Sequence, residues 1–204
     1  MSDVAPQDKQ ALRSQLRAAR RALSVTEQLH ASLGVCRQLI TLPMFLRSRR
    51  VAVYFSNDGE VNLEPLIAAA WDMGKILYLP VLHPLRGGEL VFMEYHAGQA
   101  MEKNRFGIPE PVSHRDSRCP TWLLDLILTP LVGFDEAGNR MGMGGGFYDR
   151  TFAFLKNGSK PRRPALLGLA HECQKVDALN TEAWDIPMDG IVTGKTIYGA
   201  RSNY

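Results

Sequence analysis

The run Leu124-Asp-Leu-Ile-Leu-Thr-Pro-Leu-Val-Gly-Phe134 is apolar almost without interruption, and no other stretch limits the possible folds as strongly. A strand of that kind has no wet face, so it belongs inside a sheet covered on both sides, as in mostly parallel α/β sheets. Shorter runs repeat the signal. Arg50-Val-Ala-Val-Tyr-Phe-Ser56, Lys75-Ile-Leu-Tyr-Leu-Pro-Val-Leu82, the alternating stretch from Glu89 to Tyr95, Pro164-Ala-Leu-Leu-Gly-Leu-Ala170 and Gly190-Ile-Val-Thr193 all read as strands. A helical pattern from Leu63 to Met73, stopped by Gly74, lies between the runs at Arg50 and Lys75, which predicts a parallel strand–helix–strand crossover.

Two helices come first. Leu12, Leu16, Ala19 and Leu23 recur at helical spacing, with Lys9, Arg13, Arg17, Arg20 and Arg21 on other faces, which gives an amphipathic, basic helix. Ser24-Val-Thr-Glu27 has the form of a capping box and opens a second helix with Leu29, Leu33, Cys36 and Ile40 on one side, ended near Pro43. A further helix is expected from Phe147 to Lys156. No repeat, low-complexity segment or linker divides the chain. The expectation is one α/β domain over residues 1–204, three-layered and Rossmann-like, with a mostly parallel sheet.

Charge and cysteine usage narrow the function. A net charge of +3 falls short of a dedicated nucleic-acid binder, and no basic stripe with interleaved aromatics appears. Cys36, Cys119 and Cys173 are far apart, which argues against a disulfide framework or a thiolate zinc site and for a reducing, cytoplasmic setting. The first residues lack the pattern of a secretory signal and no long apolar span follows, so no membrane role is expected. His30, His83, His96, His114 and His171 show no metal-ligand spacing and are assigned to surface or strand-end positions. Nucleophile-elbow and Walker A patterns are absent.

The most suggestive chemistry lies in Arg140-Met-Gly-Met-Gly-Gly-Gly-Phe-Tyr-Asp149. Gly142, Gly144, Gly145 and Gly146 can take positive φ and let an anion approach the backbone at the start of a helix, although for the glycines alone a purely structural turn is the favoured explanation. Arg140 before them and Asp149 after them add a cation and a potential metal ligand. Lys9 and Arg13, four apart, share a helical face from which both can reach one polyphosphate, or both are ordinary solvated charge. Asp149, Asp185 and Asp189 are either loop and helix-end acids or the one or two carboxylates that Mg²⁺ bound with a nucleotide requires.

Together with Lys9-Gln-Ala-Leu-Arg13, Phe55-Ser-Asn-Asp-Gly-Glu-Val-Asn62 and the loop Asn104-Arg-Phe-Gly-Ile-Pro-Glu-Pro111, the segment from Gly133 to Asp149 resembles the 5-formyltetrahydrofolate cyclo-ligase family over nearly the whole chain. The resemblance implies a fold akin to sugar-phosphate isomerases and CoA transferases, and Mg²⁺·ATP-dependent closure of reduced folate from its 5-formyl to its 5,10-methenyl form. ADP and phosphate are released through a phosphorylated formyl intermediate. It implies Lys9 and Arg13 at ATP phosphates, with Arg140, Met141, Gly142, Met143, Gly144, Gly145, Gly146, Phe147 and Tyr148 around the nucleotide. Lys9 and Arg140 are the cations implied in catalysis. Asn57, Glu60 and Asn62 fall on the folate side, Met143 through Phe147 are shared by both ligands, and Asp149 and Asp185 fall at Mg²⁺. Phe106 and Tyr148 are candidates for stacking or for packing. Small molecules are the expected partners, with no nucleic acid or membrane, and the chain is expected to be a monomer or weak dimer. One departure stands out: many relatives carry Arg and Lys where this chain has Met143 and Gly145, which shifts phosphate neutralisation onto Lys9, Arg13 and Arg140. A sugar-phosphate isomerase or CoA-transferase-like activity is the alternative on the same fold.

Overall fold

The computed structural model describes residues 8–112, 117–156 and 164–199. His114, the segment 157–163 and the chain ends lie outside the described residues. Helix α1 (Lys9–Arg21) is capped by the Asp8 side chain, and α2 (Val25–Thr41) starts at Ser24, where the expected capping box is present on both sides. A short α3 (Pro43–Arg47) leads into strand β1 (Arg50–Ala52). Helix α4 (Glu64–Asp72) follows and is stopped by Gly74 at φ +69°, a conformation that glycine adopts without a Cβ penalty. Then come β2 (Ile76–Leu82), β3 (Leu90–Tyr95), the small hairpin β4 (Met101–Lys103) and β5 (Pro109–Pro111), β6 (Arg118–Cys119) and β7 (Leu126–Pro130). A second hairpin, β8 (Gly133–Phe134) and β9 (Arg140–Met141), precedes α5 (Phe147–Phe152), and β10 (Ala165–Leu169), β11 (Gly190–Val192) and β12 (Ile197–Tyr198) complete the order.

The main sheet runs β12-β11-β10-β7-β1-β2-β3-β6. From β11 to β2 neighbouring strands are parallel, and β12, β3 and β6 join antiparallel at the edges. Successive residues of the central strands feed opposite cores. Leu126 and Leu128 join Val35, Leu39, Phe45, Leu66 and Ile67 beneath α2, α3 and α4, whereas Ile127 joins Phe134, Phe152, Ile186 and Met188 on the other face. This is the three-layer, mostly parallel α/β architecture expected from the unbroken apolarity of β7. Each fully buried Leu or Phe in these layers stabilises the fold by roughly 1.5–3 kcal/mol.

Several expectations need correction. The run Leu124–Phe134 is not one strand: it leaves the sheet after Pro130, and Gly133–Phe134 pairs instead with Arg140–Met141. The carbonyls freed at the break are taken by side chains, Leu131 O by Arg20 and Gln174, and Val132 O by Gln174. The buried side of α2 is Ser32, Val35, Cys36 and Leu39, with Leu29 exposed, so its apolar stripe is rotated from the expected one. Helix α5 has only six residues and gives way to a 3-10 turn at Ala153–Leu155. Arg20, assigned to the polar side of α1, is fully buried. His171 takes the strand-end position that was one of its two expected placements, two residues past β10, and is buried there.

Candidate functional site

One cleft of about 1340 Å³ opens beyond the carboxyl ends of β1, β2 and β7, the end at which open α/β sheets bind ligands. Its floor includes Tyr54, Pro80, Pro130 and Leu131. The Gly-rich turn forms one wall. There Gly144 and Gly146 have φ of +93° and +64°, while Gly142 and Gly145 do not take positive φ, so only two of the four glycines are used for the left-handed backbone. The other two leave space: a Cβ on Gly145 would lie 2.9 Å from the Phe147 ring, and Gly142 gives its carbonyl to Arg13 Nε at 2.8 Å. The Arg13 guanidinium also lies along Gly144, whose Cβ would stand 3.6 Å from Arg13 Cζ.

Lys9, Arg13 and Arg140 all line this cleft, and of the two α1 cations it is Arg13 that touches the Gly-rich turn. Lys9 Nζ is engaged by Glu182 Oε1 at 2.9 Å, an exposed pair that an anionic ligand can outcompete at small cost. Arg140 is nearly buried, donates to Ile186 O at 3.2 Å and pairs with Asp149 Oδ1; burial pulls its guanidinium down, and Asp149 pulls it back up. Arg150 and Lys156 also line the cleft and were not anticipated. Arg150 donates to Gly145 O and to Gly88 O, so it ties the Gly-rich turn to the β2–β3 connection and lies near the place where Met143 and Gly145 lack charge.

Asp149 and Asp185 both line the cleft, and each has one oxygen committed: Asp149 Oδ1 to Arg140, and Asp185 Oδ2 to the Glu182 amide. That leaves one carboxylate oxygen on each. Among the described residues no group of three or more His, Cys, Asp or Glu could hold a metal by itself. Two single carboxylates suit Mg²⁺ carried on phosphates and water better than an all-protein cage. Asp189 is a different case, because it is buried in the sheet layer and accepts the Leu166 amide at 2.9 Å.

Another part of the lining is the turn Asn57–Glu60 with Phe55, Phe106 and Ile108. Glu60 is mostly buried; burial raises its carboxyl to about 7, while the Asn57 amide and Arg20 pull the other way. Beneath it, Tyr54 gives its hydroxyl to Val61 O, and burial raises the phenols of both Tyr54 and Tyr148. Asn62 does not line this cleft. It is exposed beside a smaller depression, and its side chain accepts the Glu64 amide at the start of α4. Phe106 is half exposed and meets Phe147 edge-on at 6.0 Å, whereas Tyr148 packs on Phe152 at 5.6 Å. Trp184, unmarked by any sequence signal, is another exposed aromatic at the rim.

One large cleft at the carboxyl ends of the strands, lined by arginines and a Gly-rich turn and also by aromatics and carboxylates, belongs to an α/β enzyme. The sequence pattern of the 5-formyltetrahydrofolate cyclo-ligase family matches residues 5–194, and the chain belongs to that family. It is 42% identical to the 5-formyltetrahydrofolate cyclo-ligase of Escherichia coli K12, covering 90% of this chain and 98% of that protein. The Haemophilus influenzae cyclo-ligase is 41% identical over 92% and 98%. The solved 5,10-methenyltetrahydrofolate synthetase of Aquifex aeolicus superposes with a TM-score of 0.79 at 34% identity, covering 96% of this chain and 94% of that one. The Mycoplasma pneumoniae synthetase shares the fold, with a TM-score of 0.71 at 24% identity.

Proposed function

We propose that the protein converts 5-formyltetrahydrofolate to 5,10-methenyltetrahydrofolate at the expense of ATP and Mg²⁺, releasing ADP and phosphate. The observation that carries this reading is that one continuous cleft joins Arg13, Arg140 and the Gly-rich turn to the Asn57–Glu60 wall, so both substrates can lie end to end. In this reading Lys9, Arg13 and Arg140, with Met141 through Tyr148, hold the nucleotide. Asn57, Glu60 and the shared segment Met143–Phe147 hold the reduced pterin, with Asn62 supporting that side from outside the cleft. An ionised Glu60 accepts hydrogen bonds from ring N–H groups of the pterin and so fixes its orientation.

The formyl oxygen attacks the γ-phosphorus as the bridging oxygen leaves with ADP. The neighbouring arylamine nitrogen then adds to the activated carbon, and the oxygen departs as phosphate. Both steps turn on alignment and on neutralising phosphoryl charge, and no protein nucleophile is required. Arg13 and Arg140 supply fixed positive charge, and the cleft keeps both reactants in line. Asp149 and Asp185 are the residues that would hold Mg²⁺, which supplies further neutralisation of the phosphates when bound. The chain acts as one catalytic domain, in the cytoplasm and as a monomer or weak dimer. The test is methenyl absorbance on incubation with 5-formyltetrahydrofolate, Mg²⁺ and ATP, with ATP omitted as control. No ATP-dependent rise would refute the reading and favour a sugar-phosphate isomerase or CoA-transferase-like activity.

A further inference from the structure

Arg20 has no solvent exposure, an unusual state for an arginine on a first helix otherwise rich in solvated charge. Its guanidinium is spent on three partners in two segments: Nε donates to Asp58 O at 2.8 Å, Nη2 to Asp58 Oδ2 at 2.8 Å, and Nη1 to Leu131 O at 2.9 Å. Glu60 Oε1 lies 3.7 Å from Nη2. Arg20 therefore joins α1, the strand break after β7 and the turn of the folate-side wall, without lining the cleft itself.

The turn it holds is strained. Asp58 is the one non-glycine residue at positive φ among the described residues, at +52°, and Gly59 follows at +77°. A left-handed non-glycine residue persists where its surroundings over-determine it, and such residues cluster at ligand sites. The surroundings here supply that constraint. Arg17 pairs with Asp58 at 2.7 Å, Gln28 donates to Gly59 O, and His171 Nε2 lies 3.1 Å from Gly59 O. Arg20 is the member at the centre, because it alone binds both backbone and side chain of Asp58 and also faces Glu60.

Helix α1 thus carries cations with separate tasks. Arg13 reaches the Gly-rich wall and Lys9 pairs with Glu182 on the cleft, while one to two turns on Arg17, Arg20 and Arg21 all pair with Asp58. A single rigid helix sets the distance between the Gly-rich wall and the Asp58 turn. We propose that Arg20 is a positioning residue for the folate side: it fixes the Asn57–Glu60 turn, and through it the Glu60 carboxylate, in the geometry that receives the reduced pterin. This rests on the function proposed above.

The experiment uses the full chain with Arg20→Met, Arg20→Lys and Asp58→Asn. Affinity for 5-formyltetrahydrofolate is read directly from quenching of tryptophan fluorescence, and the KM for ATP from methenyl formation. Arg20→Met is expected to weaken folate binding by about 10- to 100-fold, the scale that a misplacement of about 1 Å can impose. Arg20→Lys, which keeps the charge without the fork, is expected to fall between it and the native protein, and the KM for ATP should stay within about twofold for both. If Arg20→Met does not fold, Arg20→Lys and Asp58→Asn must show the same split. Folded variants with unchanged folate affinity, or with folate and ATP weakened in parallel, would overturn the proposal. A native protein without ATP-dependent methenyl formation would instead refute the catalytic reading, and the folate titration still tests Arg20.

Discussion

Replacing Glu60 by Gln is expected to make the free protein more stable and the enzyme worse, with the first effect confined to neutral and alkaline pH. Burial lifts the Glu60 carboxyl from its ordinary 4.5 to about 7, and the Asn57 amide and Arg20 offset only part of that. Because the folded-state value is the higher one, the folded protein binds the extra proton. The group's stabilisation is fully present below about pH 4.5 and is lost as the pH rises through about 7. The displacement corresponds to roughly 3 kcal/mol of ionisation cost at pH 8. Glutamine keeps the shape and an acceptor for the Asn57 amide but carries no charge. Arg20 loses a partner 3.7 Å away yet retains Asp58, so the net gain for Glu60→Gln is about 1–3 kcal/mol at pH 8 and close to nothing near pH 4.5. Among the neighbouring groups, Arg17 foremost, with Arg20, holds the Asp58 carboxyl low, and burial holds the Tyr54 and Tyr148 phenols high. Burial also lowers the His171 imidazole against Gly59 O, and its titration is common to both proteins and drops out of their difference. Urea midpoints of both proteins at the two pH values measure the difference. A lower midpoint for Glu60→Gln at pH 8, or an equal gain at both pH values, would refute the reasoning. Folate affinity of the variant should fall at least about tenfold, the scale of a lost charge-assisted hydrogen bond. Native affinity should itself weaken as the pH drops below about 7.

Arg140→Ala removes a nearly buried cation from the Gly-rich wall and should lower kcat by about 10²–10³-fold with little change in folate affinity; steady-state kinetics with ATP unchanged from the native protein would contradict its proposed role. Asp149→Asn should raise the Mg²⁺ concentration needed for half-maximal rate at least about tenfold, since it removes one of the two carboxylates proposed to hold the ion. Asp189→Ala should leave that requirement alone and cost about 1–3 kcal/mol by thermal unfolding, because it orphans the Leu166 amide. Gly34→Ala should destabilise by about 1–3 kcal/mol, since a Cβ there would lie 2.2 Å from Gly194 O, where α2 touches the loop after β11 backbone to backbone. A melting temperature equal to the native one would show that α2 can move aside freely.

Local signals were readable where local physics decided the outcome. The Ser24 capping box, the stop at Gly74 and the apolar strands depend on neighbours within a few residues, and each lies close to where the pattern put it. Arg20 was misread because its charge outweighed its register: it stands four residues after buried Leu16, on the same side of α1, and that spacing was the available clue. Asp189 could not be told from Asp185 by composition. Both are acids within Trp184-Asp-Ile-Pro-Met-Asp189, and only the packing of β10 against the following segment sends one into the sheet layer and leaves the other at the cleft.

The sequence by itself determined a covered, mostly parallel sheet, because a strand apolar on both faces has no stable alternative in water, and it determined the family through the ordered motif from Gly133 to Asp149. The tertiary structure decided how the charges are used. Whether an arginine is solvated, pinned to a carboxylate or buried behind a strained turn depends on which distant backbone carbonyls and carboxylates come within about 3 Å, and sequence spacing does not encode that distance. In this chain those contacts divide one basic helix, with Arg13 on the Gly-rich turn, Lys9 on Glu182, and Arg17, Arg20 and Arg21 on Asp58.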